Sequence, residues 1–129
     1  MSARVRETDG AVAEAVRAMY AAYPDSGRFD QHLHPDITIW ETDHPGAWIG
    51  LPELTELRTR RRADTAGSPA PRLSVDELLV DRWGENAAVA RYLLHADASG
   101  EQTSFRVTDV WDADGDGSWR IVHHHAEQL

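Results

Sequence analysis

Two carboxylates, Glu41 and Asp109, fall in apolar rows. Alternate residues of a strand share a face. Ile37, Ile39 and Glu41 therefore line one face of the segment Asp36-Ile-Thr-Ile-Trp-Glu-Thr42, and Phe105, Val107, Asp109 and Trp111 line one face of a later segment. If those faces look into the core or a cavity, both acids are drawn out of water, and burial raises a carboxyl pKa because the charged form loses solvation. Two such groups in one cavity can divide the roles of base and protonated donor. The structural alternative is that each acid pairs with an arginine, such as Arg91 or Arg106, since ion-pair networks perturb acids too.

The run His123-His-His125 follows Trp119-Arg-Ile-Val122. Alternation sends His123 and His125 to one face and His124 to the other. A His-x-His pair on a strand can begin a zinc site, with His95 as a third ligand if the register allows. Packing and hydrogen bonding at a sheet edge or subunit interface explain the run more simply, and no metal is expected. Asp112-Ala-Asp114-Gly-Asp116-Gly117 copies the opening of a calcium loop. Position 12 would be His123, which cannot replace the bidentate glutamate, so a hairpin turn rich in Asp and Gly is the better reading. Among the aromatic residues, Trp40, Trp48, Phe105 and Trp111, with His124, are the expected wall of a ligand pocket. Tyr20 adds a hydroxyl on a helix that covers the sheet. The chain has no cysteine, no glycine-rich phosphate loop and no serine-centred nucleophile motif, which argues against covalent acyl chemistry and leaves no cofactor to expect.

These residues need elements to hold them. Val12, Val16, Met19, Tyr20 and Tyr23 recur at spacings of three and four, predicting a helix from Asp9 to Tyr23 that Pro24 ends. A short second helix is expected to hold Phe29 and Leu33 and to stop before Pro35. After the strand from Asp36 to Thr42, His44-Pro-Gly46 reads as a turn. Pro52 suits the first turn of a third helix, with Leu54 and Leu57 inward. Ala66 to Pro71 breaks that helix. Leu73 to Trp83, Ala87 to Asp97, Thr103 to Trp111 and Trp119 to His125 then read as four strands with short connections, an antiparallel meander. Early helices and late strands predict an α+β fold, three N-terminal helices on one face of a mainly antiparallel sheet, with residues 1–129 as one domain. Leu78 and Val80 on one face of a strand, and Leu79 and Trp83 near the other, leave both sides of the sheet partly apolar. That predicts a homodimer through the outer face.

Charge narrows the partners. Twenty-two acidic residues against 13 basic ones give a net charge of −9, which repels a phosphate backbone, so no nucleic-acid partner is expected. All the basic residues are arginine, and the cluster Arg58, Arg60, Arg61 and Arg62 reads as a solvated helix face. Apolar runs fall far short of a membrane span and no early apolar stretch looks like a secretory signal, so the expectation is a cytoplasmic protein without a membrane partner.

The order of these segments resembles the NTF2-like superfamily, in particular SnoaL-like and ketosteroid-isomerase-like proteins. The resemblance runs from the Ala- and Tyr-rich first helix through Phe29-Asp-Gln-His-Leu-His-Pro-Asp-Ile-Thr-Ile-Trp40 and Gly50-Leu-Pro-Glu-Leu54 to Phe105-Arg-Val-Thr-Asp-Val-Trp111 and Trp119-Arg-Ile-Val-His-His-His125. It implies a cone-shaped curved sheet covered by helices, an apolar pocket in the cone, and dimers paired through the sheet. By position, Glu41 falls where ketosteroid isomerases carry the carboxylate base. Asp109 falls near their neutral oxyanion donor, and Tyr20 close to their donor tyrosine. The implied function is cofactor-independent acid–base chemistry on a small, mostly apolar carbonyl compound, as isomerase, cyclase, dehydratase or hydrolase. Thr108 to Trp111 and Val122 to His125 also look like the association domain of calcium/calmodulin-dependent kinases, which implies the alternative of a non-catalytic binding or assembly module.

Overall fold

The inward stripe of the first helix decides where everything else packs. The computed structural model describes residues 4–42, 44–115 and 117–129. Its elements are β1 (Arg4–Glu7), α1 (Ala11–Ala22), α2 (Ser26–Asp30), β2 (Leu33–Trp40), α3 (Leu51–Asp64), β3 (Arg72–Trp83), β4 (Ala87–Ala98), β5 (Glu101–Ala113) and β6 (Trp119–Gln128). Val12, Ala13, Val16, Met19 and Tyr20 of α1 are buried in one core with Val80, Ala88, Ala90, Tyr92, Val107, Trp111 and Ile121 of the sheet. The six strands lie in the order β1-β3-β4-β5-β6-β2. Every pairing is antiparallel except β2 with β6, so the sheet is mixed.

The four late strands and the third helix lie where the sequence predicts, with Pro52 in the first turn of α3 and Leu54 and Leu57 buried. Three early details differ. β1 was not expected: Arg-Val-Arg-Glu carries too little apolar alternation to read as a strand, and its side chains are mostly exposed at the sheet edge. The second helix is shorter than expected and ends at Asp30, so Leu33 opens β2 instead. Pro35 sits inside that strand rather than before it. An edge strand tolerates a residue with no N–H to donate, and the β2–β6 register shifts between Leu33 and Thr38, around the proline.

Two irregularities bend the sheet and set which side chains look inward. In β3 the register shifts between Asp76 and Leu79, beside Glu77 at a φ of 52°. Val75 lies opposite Leu94 and Val80 opposite Ala90, so both face inward although five residues apart. The second shift lies between β5 and β6. Trp111 faces Ile121 while Asp109 faces His124, so an extra residue in β6 brings Ile121 and His124 to the same inner face. Such bulges increase local twist and re-aim side chains.

On the outer face Asp81 is 1% exposed and is clasped by two arginines. Arg6 Nε donates to Oδ1 at 2.8 Å and Arg91 Nη2 to Oδ2 at 2.9 Å. These bonds fasten β1 and β4 to β3 and hold the Asp81 carboxyl well below the usual carboxylate range, the Arg6 bond contributing most. A depressed carboxyl pKa adds stability that is present above the unfolded value of about 3.9 and is lost as pH falls through the folded value. Asp81→Asn is expected to lower the melting temperature at pH 7. The gap between variant and wild type should narrow steadily as the scan is repeated from pH 4 downward.

Candidate functional site

At the end of β2, the chain places Glu41 beside α3 and across from β6. A cavity of about 320 Å³ opens there. Leu73, Leu94, Phe105 and Ala126 form its apolar wall, and Glu41, His124 and Arg61 are its charged side chains, with Tyr23, Thr42 and Gln128 completing the lining.

Behind the cavity, side chains from five elements form one continuous polar row. Asp109 is 0% exposed. Its Oδ2 accepts from the Tyr92 hydroxyl at 2.5 Å, and its Oδ1 lies 2.5 Å from His124 Nδ1. With Asp109 as the carboxylate, which only accepts, Nδ1 carries the proton and donates. The Tyr92 hydroxyl lies 2.7 Å from that of Tyr20. Since Tyr92 gives its one proton to Asp109, Tyr20 is the donor to Tyr92. On the other side of the ring, His124 Nε2 lies 3.6 Å from Glu41 Oε1. Arg61 Nη2 donates to the remaining Glu41 oxygen, Oε2, at 2.8 Å. When His124 is protonated, acidic and basic groups alternate along the row: Asp109, His124, Glu41, Arg61.

The electrostatics follow from that order. Burial works against a charged His124 ring, but the Asp109 charge and hydrogen bond, with Glu41 beyond, outweigh both burial and the opposing Arg61 charge. The His124 pKa is raised above its ordinary value. Burial first, then the Asp109 charge, pushes the hydroxyls of Tyr20 and Tyr92 well above the usual tyrosine value. Both remain protonated donors across the physiological range.

The structure brings Glu41, Phe105 and His124 together at the cavity. Asp109 and Tyr20 lie behind it in the polar row rather than in its lining. The three tryptophans expected at the ligand wall lie elsewhere. Trp111 is buried in the core, Trp48 is 58% exposed and Trp40 is 47% exposed. Trp40 pairs in register with His125 on the outer face, where its ring lies edge to face with those of His123 and His125. The histidine faces are as alternation predicts, with His123 and His125 outward and His124 inward. His95 bonds Ser104 instead, and among the described residues no group of three ligating side chains could hold a metal ion. The acidic run from Asp112 is a hairpin connection in which Asp114 bonds Arg120; its Asp116 lies outside the described residues.

Two site residues were missed. Tyr92 follows Ala88 and Ala90 along the inner face of β4. Arg61 lies seven residues from Leu54 and four from Leu57, so helical spacing already extends the inward stripe of α3 to it. The arginine cluster is thus a solvated face only in part: Arg60 and Arg62 are exposed, whereas Arg58 and Arg61 are partly buried. Arg58, Arg61 and Arg62 bond Asp30, Glu41 and Ser26 respectively.

Two expected outcomes come from this geometry. A raised histidine pKa adds stability that is complete below the unfolded value of about 6.5 and is lost as pH rises through the folded value. Urea midpoints should therefore decline on the alkaline side of pH 6.5 in the wild type and not in His124→Asn. Asp109→Leu should cost about 3–5 kcal/mol in chemical denaturation at pH 6, because it breaks the buried pair and leaves His124 Nδ1 and the Tyr92 hydroxyl without their acceptor. Asp109→Asn should cost less, since its amide oxygen still accepts one bond.

Residues 12–127 match the SnoaL-like domain. None of the curated proteins matches the chain. Among solved structures, the association domain of C. elegans CaMKII superposes with a TM-score of 0.72 at 20% identity, covering 90% of this chain and 92% of that one. A Parabacteroides distasonis protein, provisionally assigned as a ketosteroid isomerase, gives 0.69 at 19% identity, covering 92% and 85%. An NTF2-like protein of unknown function from Pseudomonas putida gives 0.72 at 15% identity, covering 90% and 82%. Identities this low establish the shared α+β fold alone. With the match spanning nearly its whole length, the chain belongs to the SnoaL-like domain family.

Proposed function

We propose that this protein is a cofactor-independent acid–base enzyme acting on a small, mostly apolar carbonyl compound. The observation that carries the reading is the row Asp109–His124–Glu41, which is buried at one end and opens on an apolar cavity at the other. A charged His124 presents Nε2–H to the cavity. Its 3.6 Å separation from Glu41 is too long for a hydrogen bond, so Nε2–H is available to a ligand oxygen. Glu41, whose Oε2 is bonded to Arg61 and whose Oε1 faces the ring, is the proton acceptor. Together they can take a proton from the carbon next to a carbonyl and stabilise the enolate oxygen. In this reading the donor role expected of Asp109 with Tyr20 passes to His124, and Asp109 orients the ring.

Proton exchange tests this without knowing the natural substrate. In deuterated buffer, wild-type protein should accelerate deuterium uptake at the α-carbon of enolisable cyclic and aryl ketones, followed by NMR. Glu41→Gln and His124→Asn should each lose ~10²–10⁴-fold of that acceleration. Absence of acceleration for ketones shown to bind the cavity would contradict the reading.

The outer face favours a second, compatible role in self-association. Trp40 and Trp83 are exposed large apolar side chains, and register places Trp40 with His123 and His125, and Trp83 on the same face of β3 as Asp81, on the side away from the helices. We read this face as the surface of a homodimer. Sedimentation should show a dimer at micromolar concentration that Trp40→Glu dissociates. A wild-type monomer would count against it.

A further inference from the structure

Tyr92 has no atom in the cavity lining, yet its hydroxyl holds one oxygen of the carboxylate on which His124 depends. We propose that Tyr92, backed by Tyr20, is a positioning residue that keeps the proton of the Asp109–His124 pair on the imidazole. This deepens the acid–base reading above and rests on it for the catalytic consequence only.

The pair has two arrangements with the same number of protons. One is Asp109 carboxylate with His124 imidazolium. The other is protonated Asp109 with a neutral ring whose Nδ1 accepts. A fully buried site disfavours separated charge, so the neutral arrangement needs to be outcompeted. Hydrogen bonds to a carboxylate stabilise its charged form. Tyr92 supplies such a bond at 2.5 Å, and Tyr20 donates to Tyr92 at 2.7 Å, which makes Tyr92 the stronger donor. Neither phenol can take the proton instead, because burial and the Asp109 charge keep both protonated. The inner end of the row is closed, and His124 exchanges protons only through Nε2 and the cavity.

The other charged and titratable groups facing the ring do not replace this bond. Glu41 meets Nε2, on the cavity side. Arg61 of α3 opposes a positive ring. Tyr23, after α1, lines the cavity. His123 and His125 point to the outer face. Tyr20 also carries the effect of helix packing into the site. It meets Phe29 of α2 edge to face at 5.7 Å, and Arg58 of α3 lies 5.4 Å above the Phe29 ring.

The test is the ¹⁵N spectrum of the full chain labelled at histidine, with His124 assigned by its loss in His124→Asn. At pH 6 the wild type should show both His124 ring nitrogens protonated. In Tyr92→Phe at the same pH, Nδ1 should move toward the acceptor type while Nε2 stays protonated, and Tyr20→Phe should give a smaller shift in the same direction. In the ketone exchange assay, Tyr92→Phe should lower kcat by roughly tenfold, a partial loss of general-acid catalysis, with little change in KM. A folded Tyr92→Phe with both nitrogens unchanged would overturn the proposal, as would an acceptor Nδ1 in the wild type. If Tyr92→Phe does not fold, Tyr20→Phe decides, since an unchanged spectrum there also overturns it. If the spectra shift but the wild type exchanges no ketone proton, the positioning stands and the acid–base reading falls.

Discussion

The buried carboxylate of Asp109 is the constraint around which this protein is organised. A charge with no access to water is tolerated only when its lone pairs are occupied by good donors. The two donors come from opposite sides: Tyr92 from β4 and His124 from β6, the strands on either side of β5. Satisfying one side chain therefore ties together the middle of the sheet. The second donor then carries the charge onward to Glu41 and α3. The row ties strands together at its buried end and lines the cavity, where we propose its chemistry, at its open end.

The helices serve the same arrangement. α1 packs its apolar stripe on the sheet and, through Tyr20, closes the inner end of the row. α3 supplies Arg61 at the outer end, and its Arg58 holds Asp30 and covers Phe29, fixing α2 against the α1 aromatic. Between these ends the cavity has apolar walls and one charged edge, which suits a small ligand with a single oxygen-bearing group. The outer face has a different economy. Its buried acid, Asp81, is neutralised by two arginines with no titrating partner, and its exposed aromatics look away from the cavity. The proposed chemistry and the proposed assembly thus fall on opposite faces of one sheet.

Much of this was legible in the residues, and the failures have physical causes. Alternation alone selected Glu41 and Asp109 and set His124 on the opposite face from His123 and His125, because strand period is a strict geometric property. The same alternation sets Trp40 opposite Ile39 and Glu41, so its outward position was readable too. Its aromatic character argued for a pocket, but type does not say which apolar surface a ring joins. The bulges opposite Val110 and Trp111, and at Glu77, were not readable. They depend on which strand lies alongside, and counting from Ile121 across the first would have misplaced His124. Arg61 was readable from the Leu54 and Leu57 stripe but was assigned to solvent by its charge. Tyr92 gave no signal beyond its place in an inner-face row, since a buried tyrosine becomes functional only through its partner.

A structure with an oxyanion mimic bound tests the central claim most directly. An acidic phenol small enough for the cavity, soaked at neutral pH, should place its oxygen about 2.6–3.2 Å from His124 Nε2, with its ring against Phe105 and Leu94. His124 should keep its bond to Asp109. A phenol bound ring-first with its oxygen in solvent, or a His124 ring turned away from Asp109, would contradict the account.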